Sequence, residues 1–282
     1  MRFVSDDIRD DYTDIVKHIL KYGEVHAPRG QATRELLDVS IQLHNPMRAL
    51  PIGIGRGLNM KIAAVEAAQL IGGVCDPTAM LNASSAFKQY MDGGTFHGGY
   101  GQRTRGQIPI AIKRLRGDPH SRQAVVTLWD PLHDLFTDGM KDYPCTVALQ
   151  FMIRGDKLLM HTHMRSNDVW RGLAYDLFVF TQLQQVIASD LSLRAGTYYH
   201  HVSSLHLYET DVPLVESMID AYEESTPNAT VYETGALTKR GTPYSTAAEI
   251  ARLLLSKEFS HTHDAYVHVT EEMAQWYSKQ LS

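Results

Sequence analysis

Cysteine is scarce: Cys75 and Cys145 are the only two in 282 residues. Two thiols so far apart cannot supply the bridges of a disulfide-stapled fold, so a reducing compartment is the default. Long apolar runs are missing as well. Ile62 to Val74 is broken by Glu66 and Gln69, short of the roughly 20 residues a membrane span needs. The stretch MRFVSDDIRDDY at the start is acidic and has no apolar signal core, so the expected location is cytoplasmic and no membrane partner is expected. Positive charge is not in excess either. With 27 Lys and Arg against 32 Asp and Glu, the net charge is -5, which argues against a nucleic-acid groove but leaves room for a local phosphate pocket. Repeats and low-complexity tracts are absent. What remains is an ordinary globular composition, 44% hydrophobic and 21% charged, in a chain long enough to bury a sizeable core.

Periodicity supplies the elements. Ile8, Tyr12, Ile15, Ile19 and Tyr22 recur at helical spacing and predict an amphipathic helix over 6–22, closed by Gly23. Residues 24–34 read as a loop around Pro28 and Gly30, with Arg29 in it. Leu36 to Leu43 alternates as a strand. Gly53, Gly55 and Gly57 are tempting as a phosphate cradle, but their spacing and flanks do not fit a dinucleotide fingerprint. Met60 to Gly72 predicts a helix that is apolar except at Glu66. A carboxylate there either edges into solvent or has a partner or a task. Residues 75–107 are rich in Gly and polar residues, and Ala124 to Leu128 reads as a strand. Gly172 to Asp190 predicts a helix whose stripe of Leu173, Leu177, Phe180, Leu183, Val186 and Ile187 is core. Three helical patterns follow, at Leu214 to Tyr222, Ala247 to Leu255 and Val269 to Leu281. The pairs His161/His163, His200/His201 and His261/His263 fall short of a zinc site, which needs three or four ligands and an orienting shell, so no metal is expected.

Cys145 can be read in two ways, as a small buried hydrophobe or as a nucleophile. Its neighbours favour the second. Val147 to Ile153 and Leu158 to His163 flank an Arg154-Gly155-Asp156 turn, the pattern of a hairpin. Such a hairpin returns Arg165 to the side of Cys145, where a guanidinium favours thiolate over thiol.

Tyr143-Pro144-Cys145, Arg165-Ser166-Asn167-Asp168-Val169, Gly172-Leu173 and Leu205-His206-Leu207-Tyr208 resemble the thymidylate synthase superfamily. Within it, the sequence is most similar to the deoxycytidylate hydroxymethylases of phages. Cys145 is followed by Thr146 where thymidylate synthases carry His, and Asp176 stands where they carry the Asn that reads uracil. Asp138-Gly139-Met140 and Ser204-Leu205-His206 resemble the same branch. The similarity is strong over 118–209, fair over 15–117 and absent beyond about 212.

The resemblance implies an α+β fold of one domain spanning 1–282, with a mixed sheet and surrounding helices. It implies conversion of dCMP to 5-hydroxymethyl-dCMP with 5,10-methylenetetrahydrofolate and water, through a Cys145 thiolate adduct at C6. Glu66 then organises water and proton transfers, Tyr100 is the active-site tyrosine and Asp176 selects cytosine. Arg29, Arg165 and Arg122 are the phosphate ligands with Ser166, and Arg122 reaches across a homodimer interface. Asn167 and Asp168 complete the substrate loop, and Asp168 with Glu66 also faces the folate. His206 and Tyr208 bond the sugar 3′-hydroxyl. Ala86 falls where a cofactor-side tryptophan is usual, leaving Phe87 as the nearest aromatic, and Gln123 replaces a second arginine. Alternatives on the same scaffold are C5 methyl transfer to a cytidylate or to deoxyuridylate, hydroxymethylation of CMP, and a nucleotide-binding relative without catalysis.

Overall fold

In the computed structural model, which describes residues 1–224, 232–260 and 264–282, strand β1 (Arg2–Ser5) leads into helix α1 (Ile8–Tyr22), then β2 (Glu24–His26) and β3 (Thr33–Leu43). Asp7 caps α1 by accepting the Arg9 N–H at 3.1 Å, and Ile8, Tyr12, Ile15 and Ile19 are fully buried, as their spacing requires. The stretch 24–34, read as loop, is strand at both ends. Glu24 pairs with Glu35 and His26 with Thr33, around a turn at Pro28–Gly30. All three residues of β2 are exposed, so no buried face imposed an alternating pattern for the sequence to display.

Helix α2 (Met60–Gly72) runs over the predicted residues. Asn59 caps its start through the Lys61 N–H, and Gly73 ends it at φ 65°, a left-handed conformation that favours glycine. Short helices α3 (Pro77–Ala83) and α4 (Tyr100–Thr104) subdivide the polar stretch, and α5 (Ile108–Gly117) follows. The hairpin has the expected form: β4 (Val125–Thr127) pairs with β5 (Thr146–Arg154), which turns through Gly155-Asp156 into β6 (Lys157–Met164). Gly155 takes φ 61°. After β7 (Asn167–Asp168) come α6 (Leu173–Asp190), β8 (Arg194–Tyr208), α7 (Val212–Glu224), α8 (Tyr244–Leu255) and α9 (Glu271–Leu281).

The strands form one mixed sheet in the order β1-β3-β8-β6-β5-β4, with β2 beside β3 and β7 beside β8. The β8–β6 and β7–β8 pairs are parallel, while β3–β8 and β5–β6 are antiparallel. This is the α+β architecture expected. Helix α6 lies against β6, β8 and α2, and α2 packs in turn on α8 and α9. The sequence predicted one buried stripe on α6, yet every residue of the helix except Asp176 is buried. Phe151, Phe178, Phe180 and Tyr198 are sealed in this core, where a Phe→Ala change costs about 3–5 kcal/mol. On the sheet's other face, His161 stacks on Tyr199 at 4.2 Å and His163 on His201 at 5.0 Å. Among the described residues no three His, Cys, Asp or Glu converge on a metal position; His261 and His263 lie outside the described residues. No described helix is long and apolar enough to cross a membrane.

Candidate active site

Strand pairing brings Arg165 to Cys145. The Arg165 N–H donates to the Cys145 carbonyl at 2.9 Å, as the hairpin predicts. The side chain folds back over the same residues. Nε donates to Pro144 O at 2.9 Å, Nη2 to Tyr143 O at 3.2 Å, and Nη2 lies 4.0 Å from Cys145 Sγ. Trp129 lies under the guanidinium at 5.4 Å. The electrostatic outcome differs from the sequence expectation. Burial pushes the Cys145 thiol up to about 11, and the carboxylates of Asp176, Asp142 and Asp168 add to it; Arg165 pulls the other way without prevailing. Desolvation exceeds one partly exposed guanidinium, so Cys145 rests as a thiol at neutral pH.

Glu66 and Asp176 sit as half-buried positions in helices that are otherwise buried, α2 from Ala63 onward and α6 throughout. Glu66 is the only residue of α2 between Ala63 and Gly72 that is not buried, and Asp176 has the same standing on α6. Cys145 and Tyr100 are half-buried too. Asp176 acts electrostatically on Glu66, Tyr100 and Cys145, so these partly exposed polar groups are neighbours and border one recess. Burial raises Glu66 to about 8, with Asp176 and Asp142 contributing. Burial also raises Asp176 to about 7, against the hydrogen bond from Asn167. Asn167 Nδ2 donates to Asp176 Oδ2 at 2.8 Å. Gly172 permits that approach, since a Cβ there would lie 3.0 Å from Asn167 Nδ2 and 3.3 Å from Asp176 Oδ2. Tyr100 stacks on Phe180 at 6.0 Å, and its oxygen accepts from Thr146 N at 3.2 Å and Thr146 Oγ1 at 3.0 Å. Thr146, the residue after the cysteine, thereby ties Tyr100 to Cys145.

The remaining candidate residues fall into a cluster around His206 and Tyr208, with Arg122 and Phe87 placed outside it. Asp168 pairs in register with His206, and Ser166 Oγ lies 3.3 Å from His206 Nδ1. His206 packs edge-on against Tyr208 at 5.3 Å, and both point to one side of β8, as their spacing predicts. Asp168 Oδ1 accepts from the backbone of Trp170 and Arg171, each at 2.8 Å, while its buried Oδ2 makes no hydrogen bond. Arg29 holds a left-handed φ of 53° beside Gly30 at φ 78°, a strained conformation for a residue with a Cβ, and its charge reaches Tyr208. Arg122 stands apart. It is exposed just before β4 at the far edge of the sheet, where its carbonyl accepts from Gln150 Nε2 at 2.9 Å. Phe87 belongs to an aromatic group with Tyr90 and Phe96, each at 6.3 Å. Tyr90, not singled out in the sequence, is the member that interacts electrostatically with Tyr208 and Arg171.

Asp142 was also missed. It is largely buried, accepts the Gly98 N–H at 3.0 Å and bears on both Glu66 and Cys145. Its place three residues before the cysteine was the only available signal. A cavity of about 350 Å³ lined by Arg105, Arg116 and Arg252 includes none of the residues that surround Cys145.

Comparison with known proteins agrees with this geometry. The thymidylate synthase family model matches residues 10–239. A deoxyuridylate hydroxymethyltransferase of Bacillus phage SP01 is 31% identical over 217 residues, covering 71% of this chain and 57% of that protein. A second, from Pseudomonas phage M6, is 30% identical over 58% of this chain and 49% of its own length. A thymidylate synthase of Mycoplasma genitalium is 26% identical over 46% of this chain and 45% of its own. The chain thus spans about half the length of these relatives. With the family model covering most of its residues and the cysteine, arginine and helix carboxylates gathered round one recess, the chain belongs to the thymidylate synthase family.

Proposed function

We propose that the chain is a pyrimidine nucleotide C5 hydroxymethyltransferase that converts dCMP to 5-hydroxymethyl-dCMP with 5,10-methylenetetrahydrofolate and water. Enzymes of the family act on a pyrimidine nucleotide and use methylenetetrahydrofolate as one-carbon donor. The residues here suit that donor: buried Asp168 Oδ2 accepts no hydrogen bond from the described residues and has Arg171 Nε beside it at 3.9 Å, so it can accept from N–H donors, and a pterin edge carries them. When bound, the folate supplies a one-carbon unit at the oxidation level of formaldehyde.

The observation that carries the substrate assignment is the carboxylate at Asp176, half-buried on an otherwise buried helix. Cytosine presents an amino donor at C4, and N3 gains a proton as its ring is attacked. Ionised Asp176 accepts from both, and charged acceptors make the stronger bonds. Cys145 Sγ bonds to C6 as the thiol loses its proton, and the C5–C6 electron pair moves through the ring toward N3. Stabilising that developing charge is where Asp176 contributes most. With the folate bound, C5 would take the one-carbon unit and lose its hydrogen as a proton, and the unit's bond to the cofactor nitrogen would break. Water would then add to the exocyclic carbon as Cys145 Sγ leaves C6 with its bonding pair and the ring is restored. Glu66, protonated at neutral pH because of its raised pKa, gives and takes back protons at this stage, with Tyr100 beside it. Arg165 and Arg29 hold the phosphate with Ser166, while His206 and Tyr208 hold the sugar.

Arg122 serves the neighbouring subunit's phosphate in a homodimer, which its exposed place beside the edge strand β4 supports. Mixing inactive Cys145→Ser subunits with weakened Arg122→Ala subunits then restores activity; two variants that stay inactive when mixed would remove Arg122 from this role.

Deoxyuridylate is the competing substrate, favoured by the two phage relatives' names. Side-by-side assays with dCMP, CMP and dUMP decide the matter. Hydroxymethyl product from dCMP without dihydrofolate is expected; dihydrofolate formation would establish methyl transfer instead.

A further inference from the structure

Behind Asp176 lies a chain of hydrogen bonds that no step above uses. Thr162 Oγ1 lies 2.9 Å from the Tyr198 hydroxyl, which lies 2.9 Å from His200 Nδ1; His200 Nε2 lies 2.9 Å from Asn167 Oδ1. Asn167 Nδ2 then donates to Asp176 Oδ2 at 2.8 Å. Thr162, Tyr198 and His200 are completely buried and Asn167 is 3% exposed. The donor order follows from the ends. Facing a carboxylate, Asn167 must offer its NH₂ group, so its carbonyl accepts from His200 Nε2–H. His200 Nδ1 is therefore the acceptor for Tyr198 O–H.

We infer that Tyr198 and His200, acting through Asn167, are positioning residues that fix Asp176 as an acceptor-only group and so set the preference for cytosine over uracil. The relay refines the cytidylate assignment proposed above and rests on it. A carboxylic acid has two faces as a reader of bases. Ionised, it has only acceptors: Oδ2 keeps one lone pair beside the Asn167 N–H, and no described group bonds Oδ1, so both oxygens can meet the base. That form suits the cytosine amino group and a protonated N3, and opposes the uracil O4 oxygen. Protonated, it pairs an O–H with a carbonyl and fits O4 and N3–H as an amide does. Donation from Asn167 holds Asp176 toward the ionised form, against burial and the charge of Asp168. Other groups that bear on Asp176 are Glu66, Tyr100, Cys145 and Tyr198. His200 itself stays neutral, because burial pushes its pKa down to about 3. It supplies a fixed N–H and no charge.

The test compares release of the C5 hydrogen from dCMP and dUMP, a reaction that needs Cys145 and Asp176 but no folate. His200→Phe removes the N–H that orients Asn167 and is expected to lower discrimination against dUMP about tenfold. It should also move the pH at which selectivity appears upward. His200→Gln restores a donor where Nε2 stood and is expected to recover selectivity, which a merely structural role does not explain. Tyr198→Phe, which keeps the ring and loses the hydroxyl, gives a smaller shift in the same direction and serves if His200→Phe does not fold. Infrared titration of the buried carboxyl, assigned with Asp176→Asn, should show its pKa raised in His200→Phe. Wild-type selectivity and an unmoved titration in folded variants would overturn the relay. A wild type that processes dUMP and ignores dCMP would instead overturn the substrate assignment, while the titration still reports on the relay.

Discussion

His200 and His201 are neighbours on β8 with opposite surroundings. His200 points into the core, fully buried between Tyr198 and Asn167. His201 points out, half-buried, stacked on His163 with its Nε2 3.2 Å from His161 Nδ1. Burial lowers the pKa of both, that of His200 to about 3. Both make polar contacts to neighbouring side chains. Only the inward ring is joined through hydrogen bonds to a carboxylate that faces the recess. The pleat, which sends successive residues to opposite faces, turns one residue of sequence into the difference between the proposed chemistry and an outer surface.

Substitutions on the two faces should separate that contrast, beginning with the largest effect. Cys145→Ser removes the nucleophile and is expected to lower turnover on the order of 10⁴-fold or more, together with C5 hydrogen release. Retention of that exchange would deny Cys145 its role. Next comes Asp176→Asn, which replaces two acceptors by one acceptor and one donor. Its preference should move toward uracil nucleotides by roughly ten- to a hundredfold. In the wild type, the dCMP-to-dUMP ratio should climb as pH rises through about 7, where Asp176 ionises; a flat ratio would mean that its charge does not select the base.

Stability gives a third comparison. The pKa of His200 is depressed on folding, so the unfolded chain binds its proton more readily. Its contribution is therefore fully present above the unfolded value and is lost as pH falls from about 6.5 toward 3, at about 1.4 kcal/mol per pH unit. Urea unfolding at a series of pH values should show this slope, and His200→Phe should flatten it. His201→Phe, on the outer face, should leave selectivity unchanged and shift stability by about 0.5 kcal/mol or less. A large catalytic effect there would mean that the outer stack is coupled to the recess.

Much of the site was legible because chemistry repeats in short phrases. Tyr143-Pro144-Cys145 and Arg165 to Val169 led to the cysteine and its arginine, and hairpin pairing then joined them. Glu66 could be singled out as a charged residue in an apolar helix, and Asp176 only through the resemblance. The family match extends to residue 239, beyond residue 212, where the resembling phrases end. Tyr90 and Asp142 escaped notice, since neither breaks a pattern. His200 was weighed only as a metal ligand, because its true partner, Asn167, is 33 residues away.

The order of residues alone determined the hairpin, the extents of α2 and α6 and the standing of Cys145 as the candidate nucleophile, since these follow from local periodicity, turn chemistry and side-chain type. Tertiary structure alone decided the protonation of those groups and the company they keep. Burial made Cys145 a resting thiol despite Arg165, and it left α6 open only at Asp176. Desolvation and long-range hydrogen bonds depend on what the rest of the chain packs around a residue, and no short stretch of sequence contains that information.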